Sequence, residues 1–221
     1  GSEMCIRDRI GAQLMAGQKL SDFNLKDPLI NSFAVKEVVL PFARFPGVDT
    51  LLGPEMRSTG EVMGSDKSFH RAFLKAQIAA SNDLPRNGVG KVFISIKDAD
   101  KTDQMLNAAL ILKKLGHSII ATRGTKSWLK ANGIAVETVN KVYEGRPNII
   151  DEMKDNKISV VFNTTISSQA IEDSREIRTV ALFDKIPYFT TAAASIAAAQ
   201  AMKTRANGDF DISTLQSMNE N

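Results

Sequence analysis

Cysteine is almost missing from these 221 residues: Cys5 stands alone. Neither an internal disulfide framework nor a thiolate metal cluster can be built from it, and a reducing compartment suits such a chain. Histidine is nearly as scarce, with only His70 and His117. The first falls on an expected helix face and the second at a strand start, away from any Ser, Cys or acidic spacing that makes a triad or a metal site. No apolar run approaches the ~20 residues of a bilayer span, and no signal-peptide pattern opens the chain, so a soluble, cytoplasmic protein without a membrane partner is expected. Neither sign of charge dominates. Lys plus Arg is 28 and Asp plus Glu is 25, a formal +3 interspersed along the chain, which argues against nucleic acid as a partner.

What is present is enough apolar material, 43% of residues, for a packed core, and a length that suits one full domain with an accessory segment. Residues 1–9 are set aside as a cloning remnant or an unassigned stretch, since Glu3–Arg9 has no apolar period. The spacing of Ile10, Leu14 and Leu20 predicts a short helix over 10–20. Phe33 to Pro46 reads as an extended segment, closed by Pro41 and Pro46. From Phe45 to Gly64 the chain is rich in Gly and Pro yet carries Leu51, Leu52, Met56 and Met63, as a loop packed against a partner surface would. Ser65 or Asp66 is expected to cap a helix presenting Phe69, Phe73, Ala76 and Ala80 on one face. The polar stretch Ser81–Gly90, with three helix- and strand-breaking residues, is the expected domain boundary.

Beyond it, short apolar strands alternate with helical stretches, as in βαβ units around a parallel sheet. Strands are expected at Lys91–Ile96, His117–Thr122, Ile134–Val139, Ile158–Asn163 and Pro187–Thr190. Helices are expected through Met105 to Leu112 with Gly116 as C-terminal cap, through Trp128 and Leu129 to Gly133, at Ile149–Met153, at Asp173–Phe183 and at Ala192–Lys203. The fold class that follows is α/β, a doubly wound, mostly parallel five-stranded sheet. Gly88-Val89-Gly90 precedes its first strand, whereas a dinucleotide fingerprint puts its glycines after the strand, so a nicotinamide site is not expected. Trp128 and the Phe69/Phe73 stripe read as core or interface.

Such sheets bind ligands beyond the carboxyl ends of their strands, and there this sequence repeats one choice. Ser95, the run Thr122-Arg123-Gly124-Thr125, the run Asn163-Thr164-Thr165 and the pair Thr190-Thr191 are all hydroxyl or amide clusters. Short hydroxyls leave the next backbone N–H groups open and helix N-termini add a positive dipole end, a combination that suits phosphate. Lys101 and Lys141 supply positive charge. Each cluster alone reads more simply as an N-cap; four along one edge shift the balance toward a dianion socket.

These residues carry a resemblance. Val35–Phe42, Phe45–Asp49 and the long motif at 51–64 are similar to the end of the second ATP-grasp unit of the carbamoyl phosphate synthase large subunit. Asn140–Pro147, Asn163–Thr165 and Ala170–Arg175 resemble that family's allosteric domain, of the methylglyoxal-synthase-like superfamily. The resemblance covers about Ile10 to Leu215 and implies residues 10–85 as the end of an ATP-grasp unit and 86–217 as the allosteric domain. It further implies a regulatory portion of a glutamine-dependent enzyme, with ATP and Mg or Mn used by the intact subunit and no cofactor or catalytic residue in this portion. The implied effectors are uridine monophosphate (UMP) and inosine monophosphate (IMP), held by Ser95, Lys101, Thr122, Thr125, Lys141, Asn163 and Thr165, and ornithine, held by Glu37 and Thr190. The implied protein partners are the remainder of the large subunit and the small glutaminase subunit, with the oligomeric state left open. Ser168 and Gln169 stand where some relatives carry arginines, and Arg123, Arg175 and Arg178 are the candidates to compensate. The rival within the superfamily is a methylglyoxal synthase acting on dihydroxyacetone phosphate, whose elimination needs carboxylates as acid and base. Glu144 and Asp173 are the remaining candidates for that role; Glu144, before a Gly-Arg-Pro turn, is expected to pair with a neighbouring base.

Overall fold

The computed structural model describes residues 3–25, 32–39, 60–164 and 168–208, with Ile212 and Thr214. The chain divides into two compact units, Gly1–Asn31 and Ser32–Asn221. In the first, helix α1 spans Glu3–Met15. It therefore begins well before the helix expected over 10–20 and ends sooner. Glu, Met and Arg favour helix without any apolar stripe, and Gly17 ends it at φ +99°, a left-handed position that glycine takes readily. A 3₁₀ turn at Leu20–Asp22 follows, with Asp22 accepting a hydrogen bond from the Lys19 backbone N–H at 3.0 Å.

The second unit opens with a two-stranded antiparallel ribbon, β1 (Phe33–Val39) and β2 (Gly60–Asp66), in register from Phe33 opposite Asp66 to Val39 opposite Gly60. The loop expected up to Gly64 is thus a strand from Gly60 onward, and the apolar residues at 45–59 lie outside the described residues. Helix α2 (Phe69–Ala79) packs on the ribbon, and its N-cap position is Ser68, not Ser65 or Asp66, although the Ser68 side chain makes no capping hydrogen bond. Asp66 instead accepts from the Ser68 N–H at 3.0 Å and pairs with Lys75 at 2.8 Å. A Cβ added to Gly64 would lie 2.1 Å from the Ala72 carbonyl oxygen and 2.5 Å from the Ala76 nitrogen, so the strand rides directly on the helix backbone.

The five-stranded sheet is entirely parallel, in the order β5-β4-β3-β6-β7: β3 (Lys91–Ser95), β4 (Ser118–Ala121), β5 (Glu137–Thr138), β6 (Ile158–Asn163) and β7 (Tyr188–Phe189). The helices are α3 (Asp103–Lys114), α4 (Arg123–Ala131), α5 (Ile149–Lys154), α6 (Ser168–Phe183) and α7 (Ala192–Ala206). Side chains on a strand alternate between faces, and the core divides accordingly. Val92, Ile94, Ile119, Val160 and Phe162 face α2, α3, α4 and α7 through residues such as Leu74, Met105, Leu129 and Met202. Phe93, Ile120 and Val161 face α5 and α6 through Ile149, Met153, Ile177 and Ala181. Helices cover both faces, which is why the central strands are near-continuous apolar runs.

The elements that depart furthest from expectation are β5, β7 and α6. Only Glu137–Thr138 of the expected 134–139 strand pairs with β4. The last strand is reduced to Tyr188–Phe189, and α6 starts at Ser168, before Asp173. The Ser81–Gly90 stretch is anchored: Leu84 is buried, and Arg205 of α7 donates to the Asp83 carboxylate at 2.6 Å and to the Leu84 carbonyl. With Phe73, Leu74 and Leu84 in the sheet's own core, the compact unit runs continuously through that stretch.

Candidate functional site

The chain enters the sheet at β3, builds outward through β4 to β5, then returns to place β6 and β7 on the other side of β3. The winding therefore reverses between β3 and β6, and a crevice at the carboxyl ends of those two strands is where an open α/β sheet accepts ligands. Ser95 and Asn163 are paired in register there. The Thr164 N–H donates to the Ser95 carbonyl at 2.9 Å, and the Lys97 N–H donates to the Thr164 hydroxyl at 3.3 Å. Thr164 belongs to the Asn163-Thr164-Thr165 cluster but is not one of the residues that the resemblance assigns to the effector. It is buried and ties the two strand ends together.

Three of the expected residues meet at this edge. The Ser95 and Thr122 hydroxyls are 3.3 Å apart, and the Thr122 hydroxyl donates to that of Thr125 at 3.4 Å. All three residues are buried. Thr122 is the N-cap residue of α4, yet its side chain makes no capping hydrogen bond; it is turned toward Ser95 instead. Simple capping does occur elsewhere, where Thr102 accepts from Met105 N–H and Thr191 from Ala194 N–H. Thr125 has a further role, accepting from the Ile96 backbone N–H at 3.1 Å. It thereby fixes the start of α4 to the end of β3.

Lys101 closes on the same place from the turn after β3. Its ammonium donates to the Gly124 carbonyl at 3.3 Å and to the Asp98 carboxylate at 2.6 Å. The Lys101 hydrogen bond and charge hold the Asp98 carboxyl below the usual carboxylate range. Lys141 sits in the loop beyond β5, exposed, and its ammonium has no hydrogen-bond or ion-pair partner among the described residues. That loop is brought to α4 by Arg123, which donates to the Asn140 side chain at 3.5 Å, and by a hydrogen bond from Lys126 to Thr138. Asn163 is buried and donates to the Tyr188 hydroxyl at 2.9 Å, so β7 contributes a phenol that sequence reading did not single out. Thr165 lies outside the described residues, as do the side chains of Ser168, Gln169 and Asp173.

Glu37 and Thr190 occupy other ground. The Glu37 carboxylate on β1 accepts from the buried Gln77 amide of α2 at 2.7 Å; burial pushes its carboxyl up, and the Gln77 hydrogen bond offsets part of the rise. Thr190 is exposed just before α7, and no hydrogen bond joins it to Glu37 among the described residues. Glu144 pairs with no base among the described residues, contrary to expectation: its carboxylate accepts from the Lys141 backbone N–H at 3.0 Å, closing the turn. The nearby cation, Arg146, pairs with Asp151 at 3.0 Å. The local geometry favours this because a carboxylate three residues ahead reaches a free backbone N–H more easily than a distant cation.

A hydroxyl cluster and a lysine at the reversal point of a parallel sheet fit the family to which residues 104–190 match, the MGS-like domain. The chain carries an MGS-like domain. Over nearly its whole length it is also similar to carbamoyl phosphate synthase large chains. It is 45% identical over 214 residues to that of Mesorhizobium japonicum, 46% over 215 residues to that of Rhizobium meliloti and 44% over 213 residues to that of Methanosarcina mazei. These alignments take in 94, 95 and 96% of this chain but only 18, 18 and 19% of the relatives. The chain thus spans about a fifth of their length. Among the described residues no helix is long and apolar enough to cross a membrane, and no group of three or more His, Cys, Asp or Glu side chains is placed to hold a metal.

Proposed function

We propose that this chain is the regulatory, effector-binding portion of a glutamine-dependent carbamoyl phosphate synthase large subunit, and that its MGS-like domain takes a nucleotide monophosphate of the UMP or IMP kind. The parent reaction, on this reading, joins ammonia from glutamine, bicarbonate and ATP in the cytoplasm to supply pyrimidine and arginine synthesis. Residues 10–85 are read as the end of an ATP-grasp unit and 86–217 as the effector domain. The observation that carries the proposal is the buried Ser95–Thr122–Thr125 hydroxyl cluster with Lys101 beside it at the carboxyl end of β3. A hydroxyl at an N-cap that forgoes capping and joins other hydroxyls is available to a ligand oxygen.

Lys101 and Lys141 are assigned to the phosphate, Ser95, Thr122, Thr125, Asn163 and Thr165 to phosphate and sugar, and Glu37 with Thr190 to an ornithine-type amine. Each charge-assisted hydrogen bond contributes roughly 1.5–3 kcal/mol, so two or three reach micromolar to millimolar affinity after ordering costs. Regulation then follows from a difference in effector affinity between two arrangements of the parent enzyme, typically ~1–3 kcal/mol. Among the described residues the geometry does not favour a methylglyoxal synthase activity: Asp98 and Asp100 are each paired with a lysine of their own turn, and Glu144 is used in its turn.

A thermal-shift screen of the chain against UMP, IMP, ornithine and dihydroxyacetone phosphate tests this. Ligand at a hundred times Kd adds about 2.7 kcal/mol, which for a unit of this size raises Tm by roughly 5–10 °C. No shift with either nucleotide refutes the reading; consumption of dihydroxyacetone phosphate with release of methylglyoxal replaces it with the lyase.

A further inference from the structure

The two partners of the Asp98–Lys101 ion pair are held very differently. The Lys101 side chain is only 18% exposed, whereas that of Asp98 is 93% exposed. Lys101 is anchored from the far side by the Gly124 carbonyl at the first turn of α4, next to the hydroxyls of Thr122 and Thr125. Asp98 is turned to solvent and, among the described residues, touches the site through its 2.6 Å contact with the ammonium.

We propose that Asp98 is the resident anion of this site, a tethered carboxylate that occupies Lys101 until a phosphate monoester dianion displaces it. The inference rests on the effector reading above and adds to it a residue that sets affinity and selectivity. The exchange needs no movement of Lys101: the exposed carboxylate swings into solvent and a ligand oxygen takes its place on the ammonium. A side chain three residues away competes at roughly millimolar or higher effective concentration, so weakly held anions fail to displace it. A phosphate monoester brings a second charge and further oxygens for the Ser95 and Thr122 hydroxyls, and displaces it. The device also keeps Lys101 extended toward α4 in the absence of ligand, so the cation is already in place when the dianion arrives.

Asp98→Asn removes the competitor while leaving Lys101, Gly124 and the hydroxyls untouched. Asp103→Asn is the control, since Asp103 is exposed at the start of α3, the helix that follows the Asp98 turn, and its loss changes the net charge equally. Titration calorimetry with UMP and with inorganic phosphate, at low ionic strength, is the measurement, and an unchanged Tm verifies folding of both variants. Breaking an exposed pair opposes binding by a factor of about two to five, and removal of a like charge from beside the dianion adds to the gain. Asp98→Asn is therefore expected to bind UMP about fivefold tighter than the unsubstituted chain, and Asp103→Asn less than twofold tighter. If UMP binds the unsubstituted chain and Asp98→Asn gains no more than Asp103→Asn, the competitor role is overturned while the effector site stands. If UMP and phosphate bind none of the three proteins, the effector site is refuted and the competitor role with it.

Discussion

Thr125 joins the proposed ligand cradle to the fold, and replacing it separates the two roles. In Thr125→Val the shape is kept and the hydroxyl is lost. The Ile96 N–H, which donates to that hydroxyl at 3.1 Å, is then left buried without an acceptor, because Thr125 is 1% and Ile96 5% exposed. An orphaned buried donor costs ~1–3 kcal/mol. Thr122 also loses one neighbour but keeps Ser95 at 3.3 Å, so little more is added. At roughly 2–4 °C per kcal/mol for a unit of this size, Tm should fall by about 2–12 °C, while Thr125→Ser, which keeps an oxygen in reach, should retain most of the stability. Differential scanning calorimetry of the three proteins without ligand is the assay. A loss under 1 °C in Thr125→Val would show that the Ile96 N–H finds another acceptor and that this hydroxyl does not hold β3 to α4.

Lys141→Ala is the cleaner probe of binding, since the side chain is exposed and its ammonium has no partner among the described residues. Stability should stay within ~0.5 kcal/mol of the original, and UMP affinity by calorimetry should drop about tenfold or more, the loss of one charge-assisted hydrogen bond. Gly64→Ala should destabilise by the upper end of ~1–3 kcal/mol or beyond, because the added methyl meets the Ala72 and Ala76 backbone; urea denaturation showing no change would mean that β2 lifts from α2 freely. His117 is buried, and burial pushes its pKa below the ordinary histidine value of 6.5, an effect partly offset by the nearby backbone of Gly90 and Val89. The unfolded chain then holds more protons than the folded one, so its contribution is intact above pH 6.5 and is lost as pH falls through the lower folded value. His117→Leu should flatten the decline in Tm between pH 7 and pH 5, and an unaltered slope would refute that assignment.

Much of the sheet was legible because periodicity and punctuation agree along the second half of the chain. Ile158–Asn163 is an apolar run of strand length, and Met105 through Leu112 repeats at helical spacing before Gly116, which sits at φ +85°. The edges were less legible. Strands at the rim pair on one side only, so β5 and β7 shrink to two residues each although their apolar patterns are longer. Gly60–Gly64 reads as loop, and Ser65 or Asp66 as a helix cap, because Gly64 and Met63 are poor strand signals; contact with α2 decides it, and a glycine is needed where two backbones touch.

At the site, the amino-acid sequence alone determined which chemistry lines the carboxyl edge, since a parallel sheet brings every strand end to the same side and four of those ends carry hydroxyls or amides. Only the tertiary structure decided how those groups are used. Thr191 caps a helix, Thr125 satisfies a backbone donor, Thr122 turns to Ser95, and Glu37 is spent on Gln77. The reason is that a hydroxyl or carboxylate takes whichever donor or acceptor folding brings within about 3 Å; the Thr191 partner is three residues on, but those of Thr125, Thr122 and Glu37 lie tens of residues away. Lys101 shows the contrast most plainly: its pairing with Asp98 is local and readable from a three-residue spacing, whereas its contact with Gly124 exists only because β3 and β4 are neighbours.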